Sequence, residues 1–159
     1  MSSIVHSAVV DILVHPSRIM IKLTCFPEHM ILLDCETTGG RASRDRITEI
    51  GLIEIKDGEV QSRWQSLINP QRPIPPWISK ITGIDDAMVI DSPTFDEIAS
   101  ELYERLQGTI LVAHNARFDY SFLKQEFKRA GYDYSAKTLC SVKLSRRVYP
   151  QHQGHSLDK

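Results

Sequence analysis

Ile31-Leu32-Leu33-Asp34-Cys35-Glu36-Thr37-Thr38-Gly39 is a run of aliphatic residues that ends in acid. Three consecutive aliphatic side chains suit a strand covered on both faces. Such a strand should not end in two carboxylates unless something offsets their charge, because burying an unpaired carboxylate is very unfavourable. Side chains two apart leave a strand on the same face, so Asp34 and Glu36 point together and Cys35 the opposite way. Their stems are then roughly 6.6 Å apart along the strand. Magnesium–oxygen bonds of about 2.0–2.1 Å and catalytic metal pairs about 3.5–4 Å apart fit within that span. Gly39-Gly40 lets the backbone turn away and leave the position open. The plainer reading is a solvated strand end, and the Ile-Leu-Leu run argues for depth instead.

Outward from this strand the pattern is regular. It is expected to begin near Met30 and to end at Asp34. After the polar loop Arg41–Asp45, strands are expected over 47–55 and 60–68, joined at Asp57-Gly58, a strong hairpin signal. Asn69-Pro70 and the prolines Pro73, Pro75 and Pro76 close this meander, since proline cannot donate to a ladder. Ser79–Ala87 holds Thr82-Gly83-Ile84, expected as a turn. Thr94 and Glu97 have capping-box spacing ahead of the stripe Phe95, Ile98, Leu102 and Leu106, with Gly108 as the stop. A short apolar strand over 109–113 leads to His114-Asn115-Ala116-Arg117-Phe118-Asp119. Phe118, Phe122, Leu123, Phe127 and Ala130 then fit a second helix ending at Gly131. A fifth strand is expected over 138–142, then a basic helix to Tyr149-Pro150. A meander followed by helix, strand, helix and strand predicts an α/β fold with a mixed five-stranded sheet and flanking helices.

The 159 residues allow one domain with a real core. A net charge of −1, with 25% charged residues, is ordinary for a globular chain and names no partner. Locally, Arg117, Lys124, Lys128, Arg129, Lys137, Lys143, Arg146 and Arg147 face only Asp119, Glu126 and Asp133 over 117–147. That imbalance suits either a phosphate-facing surface or a merely soluble one. Cys25, Cys35 and Cys140 form neither a CxxC pair nor an even framework, which points to a reducing, cytoplasmic compartment. No apolar run is long enough to span a bilayer, so no membrane partner is expected. Asp11 interrupts the apolar start and no small-residue cleavage site follows, which argues against a signal peptide. Residues 1–28 read as an N-terminal extension of unassigned role, with Ile19, Ile21 and Leu23 alternating as in a short strand.

Asp119 falls in the first turn of its expected helix, where the helix dipole favours an acid by about 0.3–1 kcal/mol. That benefit alone would explain it. Its place beyond the end of a strand gives the second reading, because open α/β sheets put ligands at the C-terminal ends of parallel strands. His114 and Asn115 lie at the same junction and suit either ligand contact or local capping.

Asp34-Cys35-Glu36-Thr37-Thr38-Gly39 resembles the first motif of the DEDD-type 3′–5′ exonucleases, the DnaQ-like family that includes the proofreading epsilon subunit of bacterial DNA polymerase III. His114 to Asp119 is similar to the second motif. Ile81-Thr82-Gly83-Ile84 and His155-Ser156-Leu157-Asp158 also resemble segments of that family. The resemblance implies a ribonuclease H-like fold and hydrolysis of the terminal phosphodiester by two Mg2+ or Mn2+ ions. Asp34 would contact both ions, Glu36 the nucleophile-side ion and Asp119 the leaving-group-side ion. Thr37, Thr38, Gly39, Thr82, His114, Asn115 and Phe118 would line the site for the terminal nucleotide. The implied substrates are single-stranded 3′ ends of DNA or RNA, with a polymerase or another fused or associated nucleic-acid enzyme as partner.

The family's third motif, a general-base histidine followed five residues later by an aspartate, is not matched where it is expected, after the second motif. Five on from His152 is Leu157, and five on from His155 passes Lys159. His155 is therefore read as structural, in the run-up to a helix capped by Ser156. Residues 29–159 are expected to be an exonuclease domain lacking its C-terminal part. Four positive charges on two ions would meet only three carboxylates, and without the histidine, general-base help of about 10²–10⁴-fold would be missing. Weak activity or none is the expectation for this chain alone. The alternative is a non-catalytic nucleic-acid-binding or scaffolding module with the same fold.

Overall fold

The structure is a computed structural model that describes residues 27–156. The expected strand at Ile19–Leu23, Cys25, and the terminal residues Leu157 and Asp158 lie outside them. β1 (His29–Thr37), β2 (Ile47–Lys56) and β3 (Glu59–Leu67) form the antiparallel meander. β4 (Ile110–Ala113) lies parallel on the other side of β1, and β5 (Lys137–Cys140) lies parallel to β4. The sheet order β3-β2-β1-β4-β5 makes it mixed, as expected, with β1 at its centre. Asp57 and Gly58 have φ of 54° and 82°, the paired positive values that a tight hairpin needs.

β1 does not stop at Asp34. It continues to Thr37, because β2 keeps pairing with it as Asp34↔Gly51 and Glu36↔Glu49, and a bulge follows Glu36. β4 ends sooner, at Ala113, so the acidic half of β1 has a strand neighbour on one side only. The fifth strand is shorter than expected, since the chain turns helical at Ser141.

Two helices went unread in the sequence: α1 (Pro76–Thr82) and α2 (Asp86–Val89). The proline cluster that ends the meander also starts α1, with Pro76 at the first helical position, where a missing N–H costs nothing. Gly83, at φ 76°, ends it. α3 (Phe95–Leu106) begins as expected: the Glu97 carboxylate accepts hydrogen bonds from the Thr94 N–H (2.7 Å) and hydroxyl (2.9 Å). α4 (Arg117–Arg129) and α5 (Ser141–Val148) complete the chain.

The alternation along β1 divides the molecule. Ile31, Leu33 and Cys35 enter the main core with Ile50, Leu52, Phe95, Leu102, Phe122 and Phe127 from β2, α3 and α4. Met30 and Leu32 face the other way, into a smaller cluster with Ile53, Ile55 and Val112. Phe95 and Phe127 meet edge to face at 5.2 Å, and truncating a ring so buried typically costs about 3–5 kcal/mol. Asp34 and Glu36 continue the Met30-Leu32 face toward its open end. Leu67, in register with Glu49, packs there against Ile74, Ile78, Ile84 and Val89, which places α1 on the flank of the acids.

Candidate active site

Where β4 stops, α4 supplies what the sheet lacks. The Cys35 N–H has no strand partner on that side and donates instead to Asp119 Oδ1 at 3.2 Å. A side chain distant in sequence is thus fixed against the residue between Asp34 and Glu36. Asp119 is buried, while Asp34 and Glu36 are half-buried.

The electrostatics follow from that crowding. Burial, then the Asp34 and Glu36 carboxylates, push Asp119 up to about 7, against the pull of backbone N–H groups. Burial, then Asp34 and Glu49, push Glu36 up to about 7. Burial also raises Asp34, with His114 and the Cys35 N–H acting in the opposite direction. Water exclusion disfavours the charge of all three acids, and like charge adds to it at Glu36 and Asp119. A divalent cation reverses both effects, and an all-oxygen donor set is what hard cations take. By chemistry and charge the residues fit a metal. Among the described residues no three such side chains close into a group able to hold an ion as they stand.

The expected nucleotide-contacting residues are arranged differently from one another. The Thr37 hydroxyl donates to the Gly39 carbonyl (2.7 Å). Thr38 Oγ1 accepts the Arg46 N–H (3.0 Å), while its own N–H donates to the Arg46 carbonyl (2.8 Å). Both side chains are buried and shape the β1–β2 loop. Thr82 fastens the α1 turn, donating to the Ile78 carbonyl (3.1 Å) and accepting from the Ile84 N–H (3.2 Å). His114 Nδ1 lies 3.0 Å from Ser141 Oγ and joins β4 to α5. Asn115 is exposed in the left-handed region (φ 72°), and its carbonyl accepts the Phe118 N–H at 2.8 Å. Phe118, half-buried, packs against Phe122 with ring centroids 4.9 Å apart and the planes tilted by 45°. His155 is bound to Ser145, its Nδ1 2.8 Å from Ser145 Oγ, a local structural contact.

Gly39 has a steric reason beyond flexibility. A Cβ there would lie 2.5 Å from Asp45 Oδ2, the oxygen that accepts the Arg41 N–H at 2.8 Å. Gly39→Ala is expected to displace Asp45, free that N–H and cost roughly 1–2 kcal/mol, read as a lower urea midpoint with unchanged slope.

Two features escaped the sequence reading. Glu49 is a buried acid directly across from Glu36, and Glu126 is a buried acid that binds Arg46. The signal for Glu49 was an acid inside an otherwise apolar strand; its facing Glu36 depends on register, which one sequence does not display.

The chain is similar to several known proteins. The chain is 39% identical over 128 residues to the PolC-type DNA polymerase III of Caldanaerobacter subterraneus subsp. tengcongensis, covering 80% of this chain and 9% of that protein. It is 41% identical over 118 residues to the DNA polymerase III subunit epsilon of Treponema pallidum, covering 74% of this chain and 55% of that one. The chain thus spans between under a tenth and about half of these relatives. Among solved structures, exonuclease X in complex with 5′ overhanging duplex DNA superposes with a TM-score of 0.61 at 30% identity, over 76% of this chain and 64% of that one. The Exonuclease family matches residues 31–159, and the chain belongs to that family.

Proposed function

We propose that this chain is a 3′–5′ exonuclease domain acting on DNA or RNA ends in replication or repair, with Asp34, Glu36 and Asp119 holding two Mg2+ or Mn2+ ions. The observation that carries the reading is the Asp119 carboxylate bonded to the backbone between Asp34 and Glu36, at the end of the central strand. When bound, the ions supply charge neutralisation at the phosphodiester and a water of lowered pKa. The protein's own part is positional. The Thr37 and Thr38 hydroxyls stiffen the β1–β2 loop so that its backbone borders the acids, and the Thr82 turn holds α1 on the opposite flank. α1 also presents Trp77 and Ile81 to solvent, apolar surface on which the bases of a frayed end stack. Arg117 and Lys143, exposed at the starts of α4 and α5, offer charge to the phosphate backbone. PolC-type and epsilon relatives belong to polymerase III, which supports a polymerase as partner.

After the second motif no histidine of this chain is followed five residues later by an aspartate, so slow turnover by the 159 residues is part of the proposal. The test follows a single-stranded oligonucleotide labelled at its 5′ end, with Mg2+ or Mn2+, for wild type and Asp34→Ala. A descending ladder that needs the metal and disappears in Asp34→Ala is expected. Binding of the oligonucleotide with no metal-dependent shortening by wild type would favour the non-catalytic module instead.

A further inference from the structure

Glu49 is only 4% exposed, yet none of the ion pairs among the described residues includes it. Its neighbours explain its placement but not its charge. The Gln65 side-chain amide donates to Glu49 Oε1 and fixes the carboxylate in place. Across the ladder Glu49 faces Glu36, the two Cα atoms in register. Residues directly opposite in an antiparallel pair share a face and place their Cβ atoms about 4.5–5.5 Å apart, where like charges are destabilising. A buried carboxylate held by one neutral amide and set against another carboxylate is strongly unfavourable without a counter-charge.

We propose that Glu49 is a positioning residue of the metal site, whose buried carboxylate stands behind Glu36 and directs it toward the cations. This rests on the function proposed above. Glu49 acts through Glu36: its charge and volume hold the Glu36 carboxylate away from β2 and toward the open end of the face. Gln65 keeps Glu49 from relaxing away from this arrangement.

Mn2+ binding to the purified chain, followed by the EPR signal of free Mn2+, tests this without requiring turnover. Glu49→Gln keeps the shape and can still accept from Gln65, so it removes the charge alone. It is expected to weaken Mn2+ binding by about tenfold or more, with a melting temperature in EDTA equal to or above wild type. Glu49→Asp, which restores the charge, is expected to bind within roughly threefold of wild type. Glu49→Gln binding within about twofold of wild type would overturn the proposal, as would equal weakening in both variants accompanied by lowered melting in EDTA. Asp34→Ala separates the two readings. Loss of Mn2+ binding there with none in Glu49→Gln refutes the role of Glu49 alone, whereas undiminished binding in Asp34→Ala refutes the metal site and Glu49 with it.

Discussion

Asp119→Asn is expected to leave the metal-free chain more stable than wild type above pH 7 while stripping it of exonuclease activity. Asn Oδ1 can still accept the Cys35 N–H now bound at 3.2 Å, so the link between α4 and β1 survives. What disappears is a charge that burial and the Asp34 and Glu36 carboxylates oppose, the same causes that push the Asp119 carboxyl up to about 7. The folded state therefore holds a proton that the unfolded state, with its ordinary aspartate, releases near pH 4. Wild-type stability from this group is highest below about pH 4, falls as pH rises and levels off above about 7. The asparagine does not titrate. Urea unfolding in EDTA should find the two proteins alike at pH 4 and the variant ahead by roughly 1–3 kcal/mol at pH 8. Glu36, raised by burial and by Asp34 and Glu49, contributes a pH dependence of the same sign in both proteins. With Mg2+ the order reverses in function: loss of a metal-holding charge is expected to lower turnover by about 10²–10³-fold or more. Mg2+ should raise the wild-type melting temperature more at pH 8 than at pH 5, since binding must displace protons at the lower pH. A variant less stable than wild type at pH 8 would mean that Asp119 serves chiefly as a structural acceptor.

The same residues show which parts of this protein can be read from sequence. The Ile31–Leu33 run, the Asp57-Gly58 turn and the Thr94–Glu97 box are local signals, and each fixed its element to within a residue or three. Strand alternation put Asp34 and Glu36 on one face, and the resemblance to a known family singled out Asp119, whose carboxylate accepts the N–H of the residue between them. The partner relations were not legible. β1 extends past Asp34 because β2 continues to pair with it, and α1 arises where prolines were read only as breakers. Thr37 and Thr38 illustrate a subtler limit. Their position beside the acids was readable, whereas the commitment of their hydroxyls to Gly39 and Arg46 depends on how the β1–β2 loop closes. Glu49 and Glu126 are buried acids whose meaning lies wholly in residues far away in sequence.

Glu126 is where that nonlocality has its largest expected effect on stability. It is 1% exposed and lies on the core side of α4, yet it accepts Arg46 Nε at 2.8 and 3.1 Å, the Ile47 N–H at 3.3 Å, and pairs with Arg129 Nη1 at 3.2 Å. Arg129 in turn donates to the carbonyls of Ala42 (2.9 Å) and Asp45 (3.4 Å). One carboxylate thus anchors the middle and the β2 end of the loop that crosses from β1 to β2. Forming such a pair is not strongly stabilising in itself, because both partners leave water. Removing one partner is costly for the same reason: Glu126→Ala leaves two partly buried guanidinium groups facing each other and the Ile47 N–H without its acceptor. A loss of about 3–5 kcal/mol is expected in urea unfolding. Glu126→Gln keeps an acceptor for one donor and should cost less, about 1–3 kcal/mol. The loss should also be local before it is global. Amide exchange at Thr38 and Ile47 should accelerate in Glu126→Ala, whereas Leu102 and Phe122 change only with overall stability. Since Thr38 closes the loop beside Asp34 and Glu36, the variant should bind Mn2+ more weakly even below its melting temperature. Exchange that rises uniformly through β1, α3 and α4 would assign Glu126 to the core as a whole and sever this connection between the loop and the acids.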